Sequence, residues 1–230
     1  MNPLSEDRTL LGQSLSRAEV ARLAEPGRPL HLVDCTLEGV DLSSLDLSGW
    51  IWERCDVRRV DFTGARLGET IWRSCRGAFA TFLGTDLAEA QFFGCDLNNS
   101  VFRRSILSTA SFEGCKLTGA DLSEAKAFDV RFQETLMINA KLPAWSFRKQ
   151  TLKRVDFGQA DLRKCDFRDV VFEACSLRDA HMTGCKFDHA DLRGADLGGL
   201  RLIDAALFRG ATISREQAGQ LLGELGLNVR

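Results

Sequence analysis

No uninterrupted apolar stretch opens this 230-residue chain: Ser5, Glu6, Asp7, Arg8, Arg17, Glu19 and Arg22 break residues 1 to 30 before a signal peptide or spanning helix could accumulate. A cytoplasmic protein with no membrane partner is expected. Neither sign of charge predominates, since the net is -2, so composition alone points to no partner. The eight cysteines form no C-x-x-C pair, and their spacings of 10 and 20 argue for small apolar filler in a reducing compartment rather than disulfides or a thiolate metal site. There is no phosphate-cradling glycine loop, no H-E-x-x-H, no Walker sequence and no nucleophile elbow. Catalytic residues, cofactors and metal are all expected to be absent, and the chain is not expected to be an enzyme.

What is present is a comb. Leucine, phenylalanine or a close substitute returns at every fifth residue from Leu32 to Leu207, and of these 36 positions only Gly77 and Ala127 lack a sizeable apolar side chain. Two residues before each tooth runs a second, mostly small series, including Cys35, Val40, Cys55, Val60, Ala65, Cys75 and Ala80. A period of five fits neither a helix at 3.6 nor a strand at 2.0, so the chain turns a corner within every repeat and stacks as a solenoid. Sending positions i-2 and i inward and the other three outward gives four short sides and about 20 residues per coil. On that scheme His181 and His189, which flank Cys185 in sequence, point outward while the thiol points in, and no metal is shared.

The numbering of the cysteines supports the 20-residue coil independently. Cys35, Cys55, Cys75, Cys95 and Cys115 are 20 apart, and Cys175 falls in the same column. Trp52, Trp72, Phe92, Phe112, Phe132, Leu152, Phe172 and Leu192 repeat with the same step. Short A-D-L sequences at Ala120 to Leu122, Ala160 to Leu162, Ala190 to Leu192 and Ala195 to Leu197, with C-D-L at Cys95 to Leu97, match the loose signature A-[DN]-L-x-x. On these residues the chain resembles the pentapeptide-repeat proteins over about 30 to 213. That resemblance implies an all-β fold, a right-handed quadrilateral β-helix of about nine coils with short terminal helices.

Both ends depart from the comb, which sets the expected organisation: an N-terminal cap segment over 1–29, the repeat β-helix over 30–213, and a C-terminal helix, cap and dimerisation segment over 214–230. Ser16 to Glu19 reads as a capping box before a short helix; the rival reading is an irregular first coil using Leu10, Leu15 and Val20 in a shifted phase. Ser214 and Gln217 form a second box, followed by the apolar stripe Ala218, Leu221, Leu222 and Leu225, then Gly226 as C-cap and Leu227 beyond it. This stripe either closes the last coil or also joins two copies into a homodimer. The Q-x-x-x-L-L-x-x-L-G pattern of the tail resembles the terminal segment of the gyrase-protecting pentapeptide-repeat proteins, the quinolone-resistance members of the Qnr type and their mycobacterial relative. The resemblance implies a dimer that binds DNA gyrase or topoisomerase IV and protects it from poisons.

Charge is unevenly spread. Residues 31 to 130 carry 15 acidic and 10 basic side chains, net -5, whereas residues 131 to 213 carry 11 and 14, net +3. Asp46, Glu69, Asp86, Glu89 and Asp129 are expected on one side of the N-terminal half, where stacked carboxylates could imitate duplex DNA. The plainer reading of the recurring aspartates at i-1 is turn and solubility chemistry. Arg148, Lys149, Lys153, Arg154, Arg163, Lys164 and Arg168 interleave with Asp156, Asp161, Asp166 and Asp169, so direct nucleic-acid binding is not expected. Leu83, Phe93, Val101, Ile106, Leu136 and Ile138 fall at outward positions and would form a partner surface if contiguous. Phe79 and Phe128 follow the undersized Gly77 and Ala127 and could fold inward through a bulge; Pro143, Trp145 and Gln150 mark an expected distortion. The competing functional class is an interaction scaffold with no link to topoisomerases.

Overall fold

The computed structural model describes residues 8–199, 206–223 and 226–229. The fold is a β-solenoid of about nine turns with little helix. The chain divides into two compact units, Met1–Arg131 and Phe132–Arg230.

In the first unit, strands β1 (Thr9–Leu11), β2 (His31–Val33), β3 (Ile51–Glu53), β4 (Ile71–Arg73), β5 (Gln91–Phe93) and β6 (Ser111–Glu113) pair in parallel, each with the next. From β2 onward partners are 20 residues apart, as in Trp52↔Trp72 and Phe92↔Phe112. Bridges between Thr36, Asp56, Arg76, Asp96 and Lys116, between Asp41, Asp61, Thr81, Val101 and Asp121, and between Asp46, Arg66, Asp86, Ile106 and Lys126 make three further ladders per coil. Four ladders around 20 residues are the four sides that the period requires.

The comb supplies the core. Trp52, Trp72, Phe92 and Phe112 stack face to face at 4.6 to 5.6 Å with interplanar angles of 2 to 14°. Phe62, Phe82 and Phe102 form a second stack on another wall, at 5.0 and 4.6 Å, and meet the first stack edge to face at 87 to 89°. This is the arrangement the ring quadrupole favours, negative face against positive edge. The thiols of Cys55, Cys75, Cys95 and Cys115 neighbour one another in series, on one wall as the 20-residue step demands. Each of Cys55, Cys75 and Cys115 also donates its S–H to the carbonyl 23 residues earlier, at 3.3 to 3.4 Å. Burial raises the thiol pKa of Cys35 and Cys175, and contact with a neighbouring thiol together with burial raises those of Cys75, Cys115 and Cys165. These cysteines are held as neutral thiols, the unreactive form.

The corners that the period requires have a left-handed residue that the period does not specify. At i+2 of every described pentapeptide from Asp34 to Gly199 except at Gly194 the backbone is left-handed: Asp34, Ser44, Arg54, Arg59, Glu69, Ser74, Phe79 and Glu89 all have φ between 50 and 62°. Side chains of most kinds occupy this site, though each costs about 1 to 2 kcal/mol there. The ladder holds them: the N–H of each such residue reaches the carbonyl of the next coil, as in Glu69 to Ala88 and Glu89 to Ser108 at 2.8 and 2.9 Å. The i-1 aspartates complete the corner. All twelve, at Asp41, Asp46, Asp56, Asp61, Asp86, Asp96, Asp121, Asp156, Asp161, Asp166, Asp191 and Asp196, accept from the N–H two residues on at 2.8 to 3.3 Å. Their plain reading as turn chemistry holds.

At the N-terminal end the two rival readings are both present. Helix α1 (Arg17–Leu23) starts at Ser16 with a complete capping box to Glu19 and buries Val20 fully. Ahead of it, Leu10 pairs with Leu32 and Ser14 bridges Thr36, both at a spacing of 22, so Leu10 and Leu15 belong to a first coil shifted by two residues. Arg17 fastens the helix by donating to the Asp41 carboxylate and carbonyl and to the Ser43 carbonyl, at 2.8 to 3.0 Å.

In the second unit, β7 (Arg131–Gln133), whose first residue closes the first unit, is followed by β8 (Thr151–Lys153) and β9 (Val171–Glu173), and β10 (Cys175–Ser176) pairs with β11 (Ala195–Asp196). Phe147, Phe167 and Phe187 stack at 5.1 and 5.0 Å. The stack is continued by Phe208, 4.7 Å from Phe187, and not by Leu207; Asp191 likewise bridges Thr212. Both spacings are 21, so the unbroken register expected to Leu207 advances by one residue in the last coil. The backbone distortion expected around Pro143, Trp145 and Gln150 is not seen toward the following coil, since Leu142, Ala144 and Phe147 keep their ladder bonds at 2.8 to 2.9 Å. The rings are irregular: Trp145 is tilted 45° to Phe132 and stacks loosely on Phe147, at 6.1 Å and 30°.

Helix α2 (Arg215–Gly223) begins with the expected box, Ser214 N–H to Gln217 Oε1 at 2.7 Å and Gln217 N–H to Ser214 Oγ at 3.1 Å. The Gln217 amide then donates to the carbonyls of Leu192 and Ala195, both at 2.7 Å. Within the coils a carbonyl at the Leu192 position takes a thiol or hydroxyl from 23 residues on, as Leu152 does from Cys175 and Phe62 does from Thr85, and one at the Ala195 position takes a backbone N–H from 21 residues on, as Cys165 does from Lys186. Gln217 supplies that donor where no further coil follows. It satisfies three backbone groups with one side chain and is itself buried.

Candidate interaction surface

The fourth side of the first unit carries three parallel columns. Asp46, Arg66, Asp86, Ile106 and Lys126 bridge in order, which fixes the i-1 column. The ladder bonds of Gly49 to Gly68, Glu69 to Ala88, Glu89 to Ser108 and Thr109 to Phe128, at 2.8 to 2.9 Å, set the other two: Ser48, Gly68, Ala88, Ser108, Phe128 and Gly49, Glu69, Glu89, Thr109, Asp129. All five expected surface carboxylates, Asp46, Glu69, Asp86, Glu89 and Asp129, therefore stand on one side.

They do not form one acidic strip. Arg66 sits between Asp46 and Asp86 in the same column and approaches Asp46 at 3.3 Å. The carboxylate of Asp46 also accepts from the Ser48 hydroxyl at 2.7 Å, and that bond leads the causes that lower its pKa. Asp86 is engaged with the Ala88 N–H, and Asp129 lies 3.5 Å from Arg131. Among the described residues Glu69 and Glu89 make no ion pair. They stand on successive left-handed corners with exposed side chains, one coil apart. The intervening Arg66 is legible in the sequence by adding 20 to Asp46.

Elsewhere acid and base cancel locally. Asp56, only 4% exposed, is gripped by Arg58 through Nε at 2.8 Å and Nη2 at 2.7 Å and by Arg76 at 2.9 Å; the Arg58 hydrogen bonds are the main cause of its lowered pKa. In the second unit the expected basic belt is largely paired: Arg148 with Asp169, Lys153 with Glu173, Arg154 with Glu134, Arg163 with Asp161 and Arg168 with Asp166. These exposed pairs contribute little to stability individually, and of the belt Lys149 and Lys164 make no ion pair among the described residues.

Within the first unit the outward apolar residues fall on different sides, with Leu83 sharing the third with Val101. Phe93 lies on the β5 side, Val101 beside Thr81 on the third, Ile106 between Asp86 and Lys126 on the fourth, and Leu136 and Ile138 in the second unit. Phe79 and Phe128 do not fold inward: they are 55% and 74% exposed. At Gly77 the reason is filled space, because a Cβ there would stand 2.8 Å from Leu97 Cδ2 and 3.4 Å from Val57 Cγ2. Phe79 instead carries the Arg59 guanidinium 5.8 Å above its ring.

On the terminal segment, Ala218 and Leu221 are half-buried, and Leu222, Leu227 and Val229 are exposed by 39%, 54% and 55%. Leu225 lies outside the described residues. Gly226 is left-handed with φ 77°, and the Leu227 N–H returns to the Leu222 carbonyl at 3.2 Å. Among the described residues no group of three or more histidine, cysteine, aspartate or glutamate side chains could hold a metal ion, and no helix is long and apolar enough to cross a membrane.

In fold the chain is similar to QnrB1, a plasmid-mediated fluoroquinolone resistance protein: the full-length structure superposes with a TM-score of 0.67 at 20% identity, covering 95% of this chain and 97% of that one. Two trypsin-treated variants of QnrB1 superpose with TM-scores of 0.59 and 0.53, also at 20% identity, and each covers 96% of this chain and 97% of its own. No curated protein sequence matches the chain. The sequence model of the pentapeptide repeat region matches residues 85–157 and 128–202, which together span just over half of the chain. A five-residue comb, four ladders per coil and this match have one meaning: the chain belongs to the pentapeptide-repeat family.

Proposed function

We propose that this protein binds DNA gyrase or topoisomerase IV as a DNA mimic and protects it from topoisomerase poisons, in antibiotic resistance or self-immunity. It acts by binding and not by catalysis, in the cytoplasm and without contacting nucleic acid itself. The observation that carries the reading is the pair Glu69 and Glu89, carboxylates free of ion pairs among the described residues and repeated along a solenoid side. Enzymes that grip DNA through rows of lysine and arginine would meet there the charge they meet on a phosphate backbone. The likeness in fold to a fluoroquinolone resistance protein supports the same direction.

The test is a gyrase supercoiling assay with and without a fluoroquinolone. Wild-type protein is expected to bind gyrase and restore supercoiling in the presence of drug, and the Glu69→Lys/Glu89→Lys pair to weaken gyrase binding at least tenfold while keeping the fold. Absence of binding, inhibition and rescue would remove the reading. One observation favours a scaffold with no topoisomerase role: Arg66 between Asp46 and Asp86 breaks the negative column. A charge-alternating side suits a protein partner more broadly than it suits imitation of DNA.

The segment 214–230 is proposed as the dimer contact, through Ala218, Leu221, Leu222, Leu225 and Leu227. Leu222, on α2, is 39% exposed and would meet its counterpart across a two-fold axis. Leu222→Arg is expected to halve the mass seen by sedimentation with the circular dichroism unchanged. An unaltered mass would refute the dimer.

A further inference from the structure

Phe128 is the most exposed large apolar side chain among the described residues, at 74%. Its position is no accident of a displaced backbone. The carbonyl of Phe128 accepts from the Thr109 N–H at 2.8 Å, in the same ladder that orders Ser108 and Ala88 above it. Exchanging Ala127 and Phe128 would place the ring in the position the comb provides; the chain puts the small residue there, half-buried, and leaves the ring outside. Phe79, the comparable case, carries a guanidinium over its ring, whereas among the described residues neither a ring nor a cation packs on Phe128.

The ring closes one end of a shallow trough. Its floor is Gly68, Ala88 and Ser108, side chains too small to rise above the corners. Along one margin stand Glu69 and Glu89, then Thr109 and Asp129; along the other stand Arg66, Asp86, Ile106 and Lys126. We infer that this trough docks a cationic amphipathic helix of a partner protein, with its basic residues on Glu69 and Glu89 and an aliphatic side chain against Phe128. Charge complementarity selects a cationic partner for the unpaired carboxylates. Spacing selects a helix laid along the columns: coils repeat about every 4.8 Å and a helix turns every 5.4 Å, so residues stepping mainly by i+3, with an occasional i+4, meet successive coils. Three coils separate Gly68 from Phe128, about 14 Å or roughly ten helical residues, which places an apolar anchor two to three turns beyond the first cation.

The inference rests on the topoisomerase reading only for the partner's identity; its chemistry comes from the trough. The probe is a fluorescein-labelled 18-residue helical peptide of leucine and lysine at helical spacing, titrated with the full chain and followed by anisotropy, with oligolysine of equal charge as comparison. Wild type is expected to prefer the amphipathic peptide about tenfold. Phe128→Ser should abolish that preference, Glu69→Gln/Glu89→Gln should weaken both probes and flatten the salt dependence, and Phe79→Ser should change neither. Equal affinity for the two probes, an unaffected Phe128→Ser variant, or an equal loss in Phe79→Ser would overturn the inference. A lower sedimentation mass for Phe128→Ser would also overturn it, by giving the trough to a second copy of this chain. Gyrase protection by the same variants separates the two readings: peptide selectivity that depends on Phe128, in a protein that never binds gyrase, upholds the helix and removes the topoisomerase.

Discussion

Phe92→Ala is expected to destabilise the first unit by about 4 kcal/mol, the range for emptying a fully buried aromatic site. Phe92 is 0% exposed, stacks on Trp72 at 5.6 Å and on Phe112 at 4.7 Å, and meets the edge of Phe102 at 6.5 Å. Removing its ring takes away two stacked pairs and one edge contact, each contributing about 0.5 to 1.5 kcal/mol beyond burial. In a globular core neighbouring side chains could move in. Here each wall offers one tooth per coil, and the teeth above and below are locked in their own ladders. The loss should be local, because neighbouring coils are the only partners a coil has. Amide exchange should accelerate most across β4, β5 and β6 and least near α1. Uniform loss of protection throughout the chain would contradict nearest-neighbour behaviour; unchanged protection at Phe92 would contradict the packing itself.

The fold was legible because one number, five, repeats long enough to exclude helix and strand, and a second, 20, appears independently in the cysteines. That arithmetic orders Trp52 above Trp72 without coordinates. It also orders the second stack, Phe62, Phe82 and Phe102. The left-handed corners were legible only in part: glycine recurs at the site, as at Gly39, Gly49, Gly64 and Gly84, but arginine, glutamate, phenylalanine and alanine also occupy it, as at Arg59, Glu89, Phe79 and Ala174, and they do not signal the conformation. The ladder imposes it from outside the residue. The ends were legible as departures but not in register. Spacings of 22 at Leu10 and 21 at Phe208 arise where a coil must join a cap, and the comb places an acceptable leucine at the wrong tooth, Leu207.

The candidate surface divides in the same way. That Asp46, Glu69, Asp86, Glu89 and Asp129 share a side follows from their numbers; that Arg66 interrupts them follows equally and changes the meaning of the side. The exposure of Phe128 does not follow from numbers. A bulge could have buried it, and only the intact bond from Thr109 to its carbonyl rules the bulge out.

Gln217→Glu should open the C-terminal end, at a cost on the order of 3 to 5 kcal/mol for an uncompensated buried charge. The substitution changes few atoms and keeps the helix-forming character, and a carboxylate still accepts from the Ser214 N–H. What it reverses is the face turned to Leu192 and Ala195: two donated bonds of 2.7 Å become an oxygen set against two carbonyls. Gln217→Leu separates the two effects, since it removes the donors without adding charge and should cost about 2 kcal/mol for the groups left unsatisfied. The charged variant carries its own control in pH. Burial raises the folded-state pKa of the introduced carboxyl above its unfolded value of about 4.3, so the penalty is full at neutral pH, diminishes as pH falls through the raised pKa, and is lost below the unfolded value. Protonation also restores one donor. Amide exchange at Ala195 and Thr212 should therefore be fast at neutral pH and recover protection toward pH 5 in Gln217→Glu, while Gln217→Leu shows no such recovery. Exchange at these amides that ignores both substitutions would mean that α2 does not hold the last coil.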